Sequence, residues 1–337
     1  MTTPLTIDLV IKSFSRDYTA LEYLLRSIAR NLSGYRKLYI FLDEEDGFHE
    51  FYECIEDLIR PQWLIQLCDA YSRSGYLEQQ LYKLNFHKYT DADFILPLDS
   101  DMIIFRESTV EDWLFNGKAL IPFGNWESAG SYPPLSLHSR LINEGLAVRH
   151  NIDQMVDIIK IKHKELGCSN LVESGGKLGF IFSGSMYSLD RNRPHTAWLS
   201  SIRQLTEEPI DTMRAHYMFS REGIDYLESR ILSDFGMSLD SAVDSPEVFP
   251  VFSEYQVYGN LIRDYPESLN HNMIGPENYS HFTSGLPVIK CNSRQESAYF
   301  VYEEILNGSF SEYTDRNQLL QVLRTQRQAF NTKEEWC

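Results

Sequence analysis

Residues 94–101 read FILPLDSD: five apolar residues, Phe94–Leu98, run directly into Asp99-Ser100-Asp101. A short, wholly apolar run with an abrupt polar stop is the pattern of a strand buried on both faces. Upstream, Leu77–Tyr89 sets Leu81, Leu84 and Tyr89 on one side of a helix. Before it, Trp63–Leu67 is another apolar run, Glu50–Leu58 is helix-like, and Lys37–Leu42 is a strand ending in the acidic loop Asp43–Gly47. The first unit repeats the theme: strand Ile7–Ile11, polar loop Ser13–Asp17, then Thr19–Leu32 with Leu21, Leu24, Leu25 and Ile28 at helical spacing. Strands alternating with helices predict an α/β fold with a mainly parallel sheet flanked by helices. Ligands of such sheets sit outside the carboxyl ends of the strands. Three polar loops, Lys12–Asp17, Asp43–Gly47 and Asp99–Asp101, fall at such ends.

The rhythm weakens beyond about residue 105. A Trp/Phe/Gly/Pro-rich stretch occupies 105–135, and 136–166 and 196–240 read as helical. Leu178–Leu189 reads as a strand kinked at Ser-Gly-Ser, and a last helix is expected over 314–330. These segments predict helical insertions and a C-terminal helical extension on the α/β domain. The expected organisation is 1–110, 111–290 and 291–337: a ligand-binding half, a second half with insertions, and the extension.

Composition narrows the function. The 337 residues carry 31 Lys+Arg against 48 Asp+Glu, a formal net charge of −17. Such a balance argues against nucleic acid, whose binding rests on basic residues neutralising phosphates. With 43% hydrophobic and 13% aromatic residues the chain has material for a large core. Its five cysteines form no CxxC pair, so a reducing compartment is expected. The opening MTTPLTIDLVIKSF lacks the pattern of a signal peptide, and no apolar run is long enough to span a bilayer. A cytoplasmic location without a transmembrane segment is therefore expected, with peripheral membrane contact left open. GxGxxG, Walker, HExxH and G-x-S-x-G motifs are missing, which counts against dinucleotide oxidoreductases, P-loop enzymes, zinc hydrolases and serine hydrolases.

Two D-x-D triplets occur, Asp91-Ala92-Asp93 and Asp99-Ser100-Asp101. Chance alone supplies roughly one in a chain of this length, so context decides. The first lies in a polar turn before the apolar run and reads as ordinary turn chemistry. The second follows the run, where alternation would aim Asp99 and Asp101 the same way, at one hard cation. Mg²⁺ or Mn²⁺ suits such oxygen ligands and leaves positions for a diphosphate.

A strand, an acidic loop, a helix and an apolar run ending in D-S-D resemble GT-A-fold glycosyltransferases, a Rossmann-like fold. Gly75–Asp101 (GYLEQQLYKLNFHKYTDADFILPLDSD) is similar to a bacterial group carrying G-φ-x-x-Q-Q-φ-x-K-φ before D-S-D or D-A-D. Ile7–Leu25 resembles their first βα unit. The resemblance implies transfer of a sugar from a nucleotide-diphosphate donor to a glycan acceptor in polysaccharide or surface-glycan synthesis. It implies that Asp101, helped by Asp99, binds Mn²⁺ or Mg²⁺, and that Asp43 reads the base, most naturally uracil. Ser13 and Arg16 would face the nucleoside, and Gln80 and Lys83 the phosphates or the sugar. Glu254, following a Ser253 suited to cap a helix, would be the general base of an inverting reaction. A downstream histidine often completes the ion's shell in that family; His281 is preferred over His271, both in a polar, loop-like region. Trp126 and Ser185 would line the acceptor pocket, since sugars stack on aromatic rings beside polar groups. The alternatives are a nucleotidyltransferase-like enzyme, which also uses paired carboxylates and a metal, and a non-catalytic sugar-binding homologue.

Overall fold

The computed structural model describes residues 4–43, 48–68, 75–124, 152–162, 165, 172–174, 177–182, 185–188, 205–206, 210, 212, 216–245, 248–249, 252–290, 296–310, 312–316 and 318–323. The chain forms two compact units: Met1–Pro122 with Ala215–Ser229 and Tyr265–Cys337, and Phe123–Arg214 with Arg230–Asp264. The chain therefore re-enters the first unit twice, where the sequence suggested three consecutive segments.

In the first unit the order is β1 (Ile7–Ser13), α1 (Tyr18–Asn31), β2 (Leu32–Ser33), β3 (Leu38–Asp43), α2 (Phe48–Ile55), β4 (Trp63–Cys68), α3 (Gly75–Leu84) and β5 (Phe94–Leu98). Short strands β6 (Met102–Ile104), β7 (Ser108–Thr109), β8 (Leu114–Phe115) and β9 (Lys118–Pro122) follow. Strands β4, β3, β1 and β5 pair in parallel in that spatial order, and Phe219–Ser220 adds an antiparallel edge beside β5. Counted along the chain, the parallel strands stand third, second, first, fourth, the order of a Rossmann-like half-sheet. Its switch point, where successive strands change direction of build-up, falls between β1 and β5.

Alternation along the strands explains the layering. Leu9, Ile11, Leu38, Ile40, Leu42, Leu96 and Leu98 point to one face and form a core with Leu21, Leu24, Leu25 and Ile28 of α1 and Phe51 and Ile55 of α2. The intervening residues point to the other face, where Phe41 meets Tyr82 of α3. Helices thus cover both faces, which is why β1, β3 and β5 are buried along their whole length. Pro97 lies beyond the short pairing of β5 with the edge strand, which stops at Ile95.

Beyond β5 the unit differs from the expectation. His271–Ile274 is a strand pairing in parallel with β9, and Pro276–Gly285 is a helix, where a loop-like region was expected. A polar composition there conceals a strand whose first residue, His271, is fully buried. Val288–Lys290 pairs antiparallel with β6, and the helix Glu296–Leu306 follows.

In the second unit, Lys177–Phe182 and Ser185–Ser188 are two antiparallel strands with Phe182 opposite Ser185, rather than one kinked strand. Val172–Ser174 joins them as a third strand. The helix Glu254–Ile262 is buried at all nine positions. Its amides act as a substitute sheet edge: Asn260 exchanges two 2.8 Å bonds with the backbone of Ile210, and Gln256 Oε1 accepts from Thr212 N at 3.1 Å. Gly259 permits this approach, since a Cβ there would meet Thr212 Oγ1 at 2.6 Å. No helix among the described residues is long and apolar enough to cross a membrane.

Candidate functional site at the carboxyl edge of the sheet

The alternation that layers the sheet also assigns the polar residues at its carboxyl edge. Lys12 on β1, Asp43 at the end of β3 and Asp99 just after β5 all share the face covered by α3. Lys12 is wholly buried there, and its ammonium pairs with Asp43 and lies 3.5 Å from Glu78 Oε1. The charge also sits over the rings of Phe14 and Tyr82, at 4.6 and 5.5 Å from their centroids. Removing an ammonium from water is costly unless opposite charges meet it; here two carboxylates and two ring faces do so. Asp43 is therefore engaged by a cation, and its backbone oxygen accepts from the Tyr18 hydroxyl at 3.1 Å. Cys68, opposite Asp43 in the ladder, has its thiol pKa raised, mainly by burial.

A second cluster stands across the switch point. Lys83 Nζ lies 2.5 Å from Asp99 Oδ1, and His216 Nε2 lies 3.0 Å from Asp99 Oδ2. Lys83 is almost completely buried, whereas Asp99 and His216 keep 15% and 17% of their side-chain surface open to solvent. The pairing thus faces outward through the carboxylate and imidazole and inward through the ammonium. Helix α3 supplies both clusters: Glu78 and Tyr82 to the first, Lys83 to the second, while Gln79 Nε2 donates to the Lys12 carbonyl at 3.2 Å. Gln80 is buried on the same helix, and the buried Ser13 Oγ has no hydrogen-bond partner among the described residues.

The geometry of the D-S-D segment differs from an extended strand. The strand stops at Leu98, and the chain turns over Asp99–Met102, with Met102 N donating to Asp99 O at 3.2 Å. Simple alternation therefore does not set the direction of Asp101. Its carbonyl accepts from the Tyr302 hydroxyl at 2.8 Å, and the residue is half-buried.

Arg16 is 64% exposed beside Asp17 at 3.7 Å. His271 is in the core against Phe94, with Nδ1 2.6 Å from Leu269 O and Nε2 3.3 Å from Met218 O. Burial lowers its pKa to about 4, so it is a neutral core histidine. His281 lies on the helix Pro276–Gly285, not in a loop. Glu254 belongs to the second unit, as the buried first residue of its helix. Ser253 occupies the N-cap position without a capping hydrogen bond from its side chain. Ser185 is on the strand Ser185–Ser188, and Trp126 lies outside the described residues.

Three residues at this edge were not singled out from the sequence. Lys12 carried a signal: a lysine directly after the apolar residues Leu9–Ile11 of a strand must be either exposed or paired. Glu78 carried none beyond its place on a helix. His216 carried none at all, since it stands 117 residues from Asp99.

No family model matches the chain, and no curated protein matches it in sequence. Among solved structures, it is similar to the crystal structure of 4-diphosphocytidyl-2C-methyl-D-erythritol synthase from Anaerococcus prevotii DSM 20548. The TM-score is 0.38 at 11% identity, over 89% of this chain and 96% of the other, a likeness too distant to bear on function.

Proposed function

We propose that this protein is a metal-dependent glycosyltransferase of the GT-A type, using a nucleotide-diphosphate sugar. The reading is carried by one observation: the D-S-D turn opens at the switch point of a Rossmann-like sheet, with Asp99 held there by Lys83 and His216. Carboxylate oxygens are the donor type that a hard divalent ion takes. Among the described residues no group of three or more His, Cys, Asp or Glu is placed to cage a metal. Mg²⁺ and Mn²⁺ in phosphate chemistry use one or two carboxylates and leave the remaining positions to phosphate oxygens and water; in this reading Asp99 and Asp101 would be those carboxylates. When bound, such an ion neutralises charge on the departing diphosphate.

The chain's own residues supply the rest. Lys83 fixes one oxygen of Asp99 and brings a positive charge to the same edge, where it favours an anionic leaving group. His216 fixes the other oxygen, so the carboxylate has one orientation. Ser13 offers a hydroxyl at the end of β1, and Asp43 is held by Lys12 at the end of β3. In this reading Asp43 contacts the nucleoside through whatever acceptor capacity Lys12 leaves free, with UDP-sugars the first donors to try. Glu254, Trp126, Ser185 and His281 remain assigned to acceptor activation, acceptor binding and ion binding as proposals of the resemblance.

A thermal-shift series with nucleotide sugars, with and without Mn²⁺, tests the reading. Ligand binding raises apparent stability by mass action, so a UDP-sugar should raise Tm only with Mn²⁺ present. Stabilisation by nucleoside triphosphates and not by any nucleotide sugar would turn the assignment to nucleotidyl transfer. Binding of a sugar nucleotide without turnover to any acceptor would favour the non-catalytic sugar-binding reading.

A further inference from the structure

The D-S-D turn joins two different sheets. Its incoming arm is β5, an interior strand of the five-stranded sheet, and its outgoing arm is β6, which among the described residues pairs only with Val288–Lys290. A turn shared between sheets takes its geometry from neither ladder alone, so something must fix the peptide in between. Two internal bonds do part of this, Met102 N to Asp99 O at 3.2 Å and Asp99 N to Met102 Sδ at 3.2 Å. A further bond comes from far away in sequence: the Tyr302 hydroxyl donates to the Asp101 carbonyl at 2.8 Å across 201 residues.

Tyr302 is itself immobilised. It is fully buried on the helix Glu296–Leu306, in a cluster with Ile103, Phe105, Ile289, Phe310 and Leu319. Ile103 and Ile289 of that cluster are opposite one another in the β6 ribbon, so the phenol is anchored to the strand that leaves the turn. Its ring lies 5.4 Å from that of Tyr23 on α1, and the Tyr23 hydroxyl donates to Glu303 at 2.7 Å. Burial and the Glu303 bond raise the Tyr23 pKa to about 12, so that donor stays protonated. A phenylalanine would fill the same apolar cluster; only the hydroxyl reaches the turn.

We propose that Tyr302 is a positioning residue for the Asp99-Ser100-Asp101 turn, fixing the peptide that carries Asp101 and thereby the direction of its carboxylate. Its consequence for metal rests on the transferase reading; its effect on the turn does not. The C-terminal segment is then a working part of the site, holding the second aspartate from behind.

Amide hydrogen exchange of the full-length protein, together with Mn²⁺ titration in the presence of UDP followed by electron paramagnetic resonance, separates the two. Tyr302→Phe should speed exchange of the Met102 amide and weaken Mn²⁺ binding, each about tenfold, the effect of losing one buried hydrogen bond. Ile305→Val, in the same cluster without touching the turn, should lower Tm while leaving both values as in the parent. Unchanged Met102 exchange in Tyr302→Phe overturns the positioning role, whatever the metal does. Equal losses in Ile305→Val also overturn it, since the effect would then be one of general stability. A parent protein that takes up no Mn²⁺ overturns the metal consequence and the transferase reading together, while the exchange data still decide the turn.

Discussion

The two D-x-D triplets stand at opposite ends of one strand and are used in opposite ways. At the amino end of β5, Asp91 pairs with Arg36 at 2.7 Å and Asp93 accepts from Thr6 N and Thr6 Oγ1 at 2.7 and 2.8 Å. Arg36 also grips the buried Asp8 through two bonds of 3.1 and 2.8 Å, and Asp8 accepts from Lys37 N at 3.0 Å. The Arg36 pKa is raised, first by its bond to Asp8, so the guanidinium is a permanent partner. Every one of these carboxylates is tied to chain that enters the sheet. At the carboxyl end Asp99 is held by Lys83 and His216 and keeps 15% of its side-chain surface open to solvent. The same three-residue pattern is a clamp where strands begin and an open carboxylate where they end. The two aspartates recur at the same spacing in both copies; the strand's polarity and its neighbours make them different.

The largest effect expected is at the clamped end. Asp8→Ala removes the buried carboxylate that Arg36, the Lys37 amide and the Thr90 hydroxyl share, leaving Arg36 to the exposed Asp91; breaking such a buried pair costs about 3–5 kcal/mol, and urea denaturation should show it as a lower midpoint. A loss below 1 kcal/mol would remove the clamp from the comparison. Next is a pH effect beside the same end of β5, where His271 packs on Phe94. Its folded pKa, about 4, lies below the unfolded value of 6.5. The unfolded chain therefore binds the extra proton first, so the stability from the neutral form is intact above pH 6.5 and drains away as pH falls toward 4. The span corresponds to roughly 3 kcal/mol, and His271→Gln should flatten the slope between those pH values.

At the open end the prediction changes from stability to activity. Asp101→Asn should leave the urea midpoint near that of the parent while lowering sugar-nucleotide turnover by roughly 100-fold, as loss of a charge-stabilising group does. Turnover that survives the change would end the assignment of this turn to metal. The smallest effect is expected for Asp91→Asn. Its side chain is largely exposed, and although Arg36 lowers its pKa, solvent screens the pair. Neither Tm nor turnover should move measurably, and a loss of turnover there would dissolve the contrast between the two triplets.

Much of the first unit was legible because burial on both faces writes itself locally. FILPL and KLYIFL are strands in any context that hides them, and the observed β5, Phe94–Leu98, and β3, Leu38–Asp43, follow those runs. Where composition and burial part company the reading failed: HNMI looks like a loop and is a strand, because the neutral His271 ring is buried with its one N–H able to donate to a carbonyl inside the protein. The D-S-D triplet was visible, but its turn geometry was not, since a turn between two sheets depends on the partner of β6. Glu254 was correctly placed at the start of a helix, yet the expected Ser253 cap does not form through its side chain.

By itself the sequence determined the alternation of strands and helices, the parallel α/β class, and that polar residues follow or end three of the parallel strands at their carboxyl ends. These follow from periodicity, a property of neighbours along the chain. Only the tertiary structure decided which charges meet there. Lys12 joins Asp43 across 31 residues, His216 joins Asp99 across 117, and Tyr302 reaches Asp101 across 201. No local pattern encodes such pairings, because each is selected by the free energy of burying a charge or a hydroxyl. That free energy exists only once the sheet, α3 and the C-terminal helix have excluded the water.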